Sequence, residues 1–389
     1  MKLKHIAFAS LLACASTAWG QSGVTLYGVT DVNLEFANNV GAVPQAANKY
    51  SPGPANHVVR MDSGGLAGSR WGLRGVEDLG GGLSALFVLE SGFGLNNGSL
   101  QQSGRLFGRQ AFVGLKSAQF GQITFGRQYA SMFEGLANFS PTAYATQYEP
   151  AVLQVGPNYR LDNTAKYTGT FGPVTAVAHW SFGAGLALPP ASPAAPQTVV
   201  GGNGEVPGQL HRDSAYGTGL TYDSGSFAAT VGYDQYNPTI GTGTGSFRKA
   251  AIAASYTLDK VKVMGGYRWG KNIDQTGATL LRDDMYWVGA SYQVAPALTL
   301  TGEFYYDKLR NLFGSTQNAN PWQVALVADY ALSKRTDVYL TTAYAKNAGL
   351  TLDSAATAYA TSLSLGNSYA LGAGQTSMMG IALGIRHKF

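Results

Sequence analysis

The stretch "SMMGIALGIRHKF" (Ser377 to Phe389) alternates strictly along its length. Met379, Ile381, Leu383, Ile385, His387 and Phe389 fall on one set of positions, and Met378, Gly380, Ala382, Gly384, Arg386 and Lys388 on the other. A period of two predicts a strand whose large apolar side chains leave by one face. "PWQVALVADYAL" repeats the pattern, with Trp322, Val324, Leu326, Ala328 and Tyr330 opposed to Gln323, Ala325, Val327 and Asp329. So does "LTLTGEFYYD", with Leu298, Leu300, Gly302, Phe304 and Tyr306 opposed to Thr299, Thr301, Glu303, Tyr305 and Asp307. Aromatics gather at the segment ends. Turn chemistry separates such segments at "DLGGGL" (78–83), "KSAQFG" (116–121), "TFGP" (170–173), "DSGS" (223–226), "DK" (259–260), "APA" (295–297) and "SKR" (333–335). Between these lie long polar stretches near 37–68, 129–157, 184–210 and 347–376, with shorter ones near 96–104, 237–246, 271–282 and 309–320.

No run of 18 apolar residues exists, so no helix is available to cross a membrane. Short turns at one rim and long loops at the other describe an all-β, up-and-down antiparallel transmembrane barrel. The segments from Val24 to Phe389 number about sixteen, an even count that leaves both ends of the barrel on the short-turn side. Backbone groups in lipid cannot stay unpaired, so the last strand is expected to close on "VTLYGVTDVNLEF" (Val24 to Phe36).

Composition agrees. Mean hydropathy is −0.04, no higher than in a soluble enzyme, so the average does not identify the compartment. The 51 Gly, 22 Tyr and 17 Phe suit a turn-rich β chain. A single cysteine excludes a disulfide framework and a cysteine zinc site. Residues 1–20 read as a signal peptide: a basic start to Lys4, an apolar run from Ile6 to Cys14, and small Ala18 and Gly20 before a cut at Gln21. A lipoprotein cut at Cys14, in "LLAC", is the alternative, with a very short apolar run. One barrel domain is expected over 21–389, placed in the outer membrane.

Several stretches carry a family resemblance: "QSGVTLYGVTD", "SRWGLRGVEDLGGGLSALFVLE", "GQITFGRQ", "LSKRTDVYL" and the ending "GIRHKF". Together they resemble the general porins of Gram-negative bacteria, the group found in β-proteobacteria and neisserial relatives. The resemblance implies a sixteen-stranded barrel with short periplasmic turns and long extracellular loops, a homotrimer, and a third loop folded into the lumen. It also implies that Phe389 is the signal read by the barrel assembly machinery, and that small hydrophilic solutes and ions diffuse passively through the channel.

Charge then refines the expected function. Arg70 and Arg74 lie four apart in one strand and share a face, opposite Trp71 and Leu73. In lipid each would cost roughly 2–4 kcal/mol at the midplane, so they face water. By resemblance, Arg109 in "GRQAFVGL" and Arg160 in "NYRLDN" match the positions of the family's constriction arginines, with Arg127 in "FGRQ" as a neighbour. The candidate constriction loop, Tyr129 to Asn158, offers Glu134 and Glu149 as opposing acids. It reads "FEGLANF" where the family more often has a "PEFGG"-like pattern. Inward arginine rings favour anions, and a Debye length of about 8 Å at physiological salt leaves such charges unscreened across a narrow pore. Each charge has a plainer role open to it, as a paired wall residue or a solvated loop acid.

Other classes fare worse. A barrel enzyme needs a convergent catalytic set at its rim, and none is visible. A channel specific for sugars or for organic or aromatic acids shares the barrel and stays open as the alternative. The chain holds 27 Lys and Arg against 22 Asp and Glu, without the basic stripe that nucleic acid requires. No cofactor is implied. Outer-membrane lipid and lipopolysaccharide are expected neighbours, and nothing in the sequence places their contacts.

Overall fold

The computed structural model describes residues 23–42, 49, 51–156, 158–188, 199–200, 206–352 and 369–389. The leader assigned to residues 1–20 lies outside them, as do parts of the expected loops at 184–210 and 347–376. Sixteen antiparallel strands close into one barrel. They are β1 (Gly23–Gly41), β2 in two segments (Asn56–Ser63 and Arg70–Gly80), β3 (Leu83–Gly92), β4 (Gln110–Ser117), β5 (Gly121–Tyr129), β6 (Arg160–Phe171), β7 (Val174–Ser181) and β8 (Ala215–Asp223). The second half comprises β9 (Phe227–Tyr236), β10 (Ser246–Leu258), β11 (Val261–Ile273), β12 (Thr279–Ala295), β13 (Leu298–Leu312), β14 (Trp322–Ala331), β15 (Thr336–Lys346) and β16 (Ser377–Lys388).

Closure is as expected: β16 lies on β1, with Val32 opposite Ile385 and Leu34 opposite Leu383. The terminal residue finishes the seam, because Phe389 and Gly28 exchange backbone hydrogen bonds of 3.0 and 3.1 Å. Gly28 is required there. A Cβ at that position would stand 2.3 Å from the Phe389 ring.

The tight turns all fall at one rim, and both barrel ends join them there. Gly23 pairs with Val76, and the Lys388 amide donates to the Arg335 carbonyl at 2.8 Å. At the other rim the expected loop over 37–68 is shorter than anticipated. β1 runs on to Gly41 and pairing resumes at Asn56, because the ladder continues past the apolar zone where alternation no longer marks it. A small second sheet joins long-loop segments there, pairing Thr239–Ile240 with Gly243–Thr244 and Val199–Val200 with Ala187–Leu188.

The two faces differ as period two demands. Leu34, Ile252, Val288, Leu326 and Leu383 are exposed on the outside, whereas their chain neighbours Asn33, Glu35, Ala251, Ala253, Trp287, Ala325, Val327 and Ala382 are buried on the inward side. Stacked and tilted rings form a band near the long-loop rim, through Trp180, Tyr216 and Tyr233, then Tyr267, Tyr286 and Tyr306, then Trp322 and Tyr344. A second band, with Phe171, Tyr222, Phe227, Tyr256 and Tyr292, lies near the short turns. Two aromatic girdles with an aliphatic zone between them are the signature of a bilayer-spanning barrel.

The third long loop folds into the lumen. It carries α1 (Ser131–Leu136) and α2 (Ala151–Val155), and its apolar residues Met132, Leu136, Phe139 and Leu153 are buried against inner-wall residues Ala253, Met285, Trp287 and Tyr305. Polar contacts pin it around the wall. The Ser131 amide donates to Nδ1 of His179 on β7 at 3.1 Å; Trp287 Nε1 on β12 donates to the Phe139 carbonyl at 2.8 Å; Tyr148 Oη donates to Glu35 Oε1 on β1 at 2.7 Å. The loop thus lines β7 to β16 and reaches β1, leaving the wall of β2 to β6 facing it.

Candidate functional site

Arginines occupy that remaining wall. Arg109 Nε donates to Glu90 Oε1 at 2.7 Å, and Arg70 Nε stands 3.6 Å from Glu90 Oε2. Arg109 and Arg160 both donate to the Tyr129 hydroxyl, at 3.1 and 3.2 Å. Arg160 also lies over the rings of Tyr129 and Tyr159, 4.9 and 4.7 Å from their centroids. It makes no ion pair among the described residues, and its buried Nε has no hydrogen-bond partner there. Strand pairing explains the convergence: Arg70 opens the second segment of β2 and Glu90 lies near the long-loop end of β3, opposite Gly72, and Tyr129 is paired with Arg160 where the loop leaves and re-enters the wall.

Backbone geometry fixes the neighbouring edge of the group. Between the two segments of β2, residues 64–69 leave the ladder, and the carboxylate of Asp31 on β1 receives their amides. Gly65 donates to Oδ1 at 2.9 Å, and Leu66 and Ala67 to Oδ2 at 3.0 and 2.8 Å. Tyr339 on β15 donates its hydroxyl to the same carboxylate. Gly68 in this turn abuts Arg109 Nη1, and the third loop meets the turn through the Gln147 amide, which donates to the Gly65 carbonyl at 3.0 Å.

The sequence candidates separate into groups. Arg70, Arg109 and Arg160 come together as described. Arg74 lies further toward the short turns on the same face, over Tyr27 at 5.3 Å. Arg127 stands apart: it pairs with Asp162 at 2.6 Å, beside an Arg105–Asp162 pair at 2.8 Å, and donates to the Gly108 carbonyl. Its register partner is Ala111, on the face of outward Val113 and Phe125. Glu134, on α1, pairs with Lys166 of β6 at 2.8 Å.

Glu149 does not face the arginines. It is buried and accepts from Tyr305 Oη at 2.7 Å, the Ala145 amide at 2.9 Å and the Thr142 hydroxyl. Burial pushes its carboxyl above its ordinary range, against the opposing pull of the Thr142, Tyr305 and Ser140 hydroxyls. It seats the loop on the wall. The acid that does meet the arginines is Glu90, in "ALFVLESG", which the sequence reading did not single out. Its parity with inward Gly72 and Arg70 was the available signal. Tyr129 and Asp31 were missed as well, since their roles arise from pairings that local pattern does not encode.

The arrangement places three guanidiniums around one carboxylate on a water-facing wall opposite an inward loop. Such a group offers fixed hydrogen-bond donors to a small anion. The Gram-negative porin family matches residues 7–350. An outer membrane porin protein of Bordetella pertussis is 30% identical, with 100% of each chain covered. Outer membrane porin protein 32 of Delftia acidovorans is 29% identical, again with 100% of each covered. Among solved structures, an anion-selective porin from Comamonas acidovorans superposes with a TM-score of 0.71 at 24% identity, covering 95% of this chain and 100% of that one. OmpT of Vibrio cholerae gives 0.62 at 15% identity, with 95% and 98% covered; these two likenesses speak for the fold. Closed barrel, inward loop, full-length relatives and family match agree, and the chain belongs to the Gram-negative porins, outer-membrane barrels that act as channels.

Proposed function

We propose that the lumen passes small hydrophilic solutes and ions by passive diffusion and prefers anions. The observation that carries this reading is the excess of guanidinium over carboxylate at Arg70, Arg109, Arg160 and Glu90, with Arg160 lacking any carboxylate partner among the described residues. An anion entering the group meets donors already in place. The relative from Comamonas acidovorans is described as anion-selective, which supports the same direction. Arg74 extends the cationic face toward the short-turn mouth. In this reading Arg127 and Glu134 shape the walls on either side, and Glu149 holds the loop.

A homotrimer, export by the leader at residues 1–20, and recognition of Phe389 by the barrel assembly machinery complete the reading. The outer faces of β16, β1 and β2 carry Leu383, Leu34, Phe36, Val59 and Met61 where β7 to β15 carry the ring band, which suits contact with a second copy. OmpT of Vibrio cholerae has been solved in a trimer form.

One observation favours a solute-specific channel as the second reading: Phe133 stacks on Tyr129, Tyr144 and Tyr159 with centroids 4.6, 4.4 and 5.3 Å apart, beside Arg160. Rings next to a guanidinium suit an aromatic acid. Single-channel conductance against salt and solute separates the two. A near-linear rise with salt, unaffected by benzoate, supports the general channel; saturation and block by benzoate but not acetate support the specific one. A protein that never conducts overturns both.

A further inference from the structure

Tyr129 stands where β5 ends and the third loop begins, and it is fixed from several sides. Its backbone forms the last rung of the ladder to β6, opposite Arg160, and its carbonyl accepts from Lys166 Nζ at 3.2 Å. Its ring is stacked on Phe133 of α1, with 4.6 Å between centroids and 12° between planes. The hydroxyl at the end of this fixed ring receives two cations. Arg109, just before β4, donates from Nη2 at 3.1 Å, and Arg160, on β6, donates from Nη2 at 3.2 Å. The phenol of β5 thus bridges arginines from the strands on either side of it. Glu90 bonds Arg109 but not Arg160, and the Tyr159 hydroxyl bonds Arg160 but not Arg109. Among the described residues, only Tyr129 holds both.

Two guanidiniums repel each other, and a shared acceptor offsets that repulsion. Because the acceptor is a phenol, the pair is held without loss of charge; a carboxylate in its place would cancel one cation, as Glu90 does for Arg109 and Arg70. The clamp also leaves donors over. Arg160 is only 7% exposed, and its Nε has no hydrogen-bond partner among the described residues. Arg109 bonds through Nε and Nη2 and leaves Nη1 without a partner there. Gly68 keeps that nitrogen uncovered, since a Cβ at this position would stand 3.1 Å from it. A buried donor without an acceptor calls for an occupant that supplies one. A carboxylate carries two acceptor oxygens in one plane and meets two guanidinium donors at once, whereas a halide is a single spherical acceptor.

We infer that Tyr129 is a positioning residue for the ion path, clamping Arg109 and Arg160 into one donor pair that favours carboxylates over a halide of equal charge. This rests on the channel reading. The test uses the purified full-length protein in a planar bilayer, with sodium formate on one side and sodium chloride on the other, and then under a sodium chloride gradient. Two variants break the clamp from opposite ends and conserve charge. Tyr129→Phe removes one oxygen and keeps the stacked ring; Arg109→Lys replaces the guanidinium fork with a single ammonium. Heat-resistant migration checks that each barrel is folded. A second readout needs no conduction: the unfolding temperature in formate against that in chloride at equal concentration.

The expected result is a formate-to-chloride permeability ratio about fivefold lower in each variant than in wild type, the effect of one hydrogen bond. The anion preference under the sodium chloride gradient stays as in wild type, because no charge has changed; a merely structural role for Tyr129 would not separate these two readouts. Formate raises the unfolding temperature of wild type above its value in chloride, and the variants lose that difference. A conducting wild type whose formate-to-chloride ratio matches that of both variants overturns the clamp and leaves the channel reading intact. A wild type that does not conduct but keeps the formate-dependent rise, lost in the variants, defeats the channel reading and not the clamp. Absence of both conduction and the rise overturns the two together.

Discussion

Arg109 donates to Glu90 at 2.7 Å, and this one carboxylate is shared with Arg70 while Arg160 makes no ion pair among the described residues. Glu90 therefore sets the net charge of the group. Replacing it with Gln keeps an acceptor for Arg109 and for the Tyr27 hydroxyl, and removes the one carboxylate paired with these arginines among the described residues. A unit charge about 5 Å from a passing ion in a water-like medium is worth roughly 0.8 kcal/mol. Glu90→Gln is accordingly expected to raise anion preference about fourfold, read as the zero-current potential in a salt gradient. An unchanged potential would mean that Glu90 does not face the ion path.

Asp31 links the seam strand to the turn at residues 64–69, and that turn abuts Arg109. Asp31→Ala leaves three amides and the Tyr339 hydroxyl without their acceptor, a cost of about 1–3 kcal/mol for each group left buried and unpaired. The expected outcome is a barrel that still closes, with a lower unfolding temperature and a noisier open channel. Tyr339→Phe removes one donor only and should produce a smaller shift of the same kind. Quiet single-channel traces from Asp31→Ala would show that the turn holds its place without the carboxylate.

The seat of the third loop carries a pH signature. Glu149 titrates above its ordinary range in the folded protein, so the folded state there holds its proton longer than the unfolded chain does. The contribution is complete below the unfolded carboxyl value and is lost as pH rises through the folded one. Thermal unfolding should therefore fall with rising pH across that window, and Glu149→Gln should flatten the slope. Persistence of the slope in the variant would assign it to another group.

At the seam, Gly28 gives the Phe389 ring its room. Gly28→Val forces the ring away and loosens two backbone hydrogen bonds, whereas Phe389→Ala keeps the bonds and removes the ring. If ring placement helps closure, both variants lower the fraction of heat-resistant barrel in refolding assays. If Phe389 acts chiefly as the assembly signal, Phe389→Ala lowers the yield in cells far more than in vitro.

The barrel was legible because lipid enforces period two: Leu383 stands out against Ala382 and Gly384 and Ile381 against Gly380 and Ala382, and turn residues mark every short connection. Where lipid ends, the signal ends. β1 continues through Asn38 and Asn39 to Gly41 with only Val40 apolar and no alternation to announce it, and the break in β2 at residues 64–69 depends on Asp31, which is 34 positions from Gly65. The site was half legible. Arg70, Arg109 and Arg160 were found from strand parity and family resemblance. Arg127 was grouped with them, but a register shift between Gly126 and Gln128 aims it at Asp162. A loop glutamate looks solvated in sequence, and Glu149 is buried only because Tyr305, 156 positions away, reaches it across the fold.

The most direct test of the central claim is the zero-current potential of the purified protein in a planar bilayer under a salt gradient, for wild type, Arg160→Gln and the Arg70→Gln, Arg109→Gln, Arg160→Gln combination. The account gives an anion-favouring potential in wild type. It gives about a fourfold weaker preference in the single variant and loss or reversal in the triple. A wild type without preference, or a triple variant that selects anions as strongly as wild type, would contradict it.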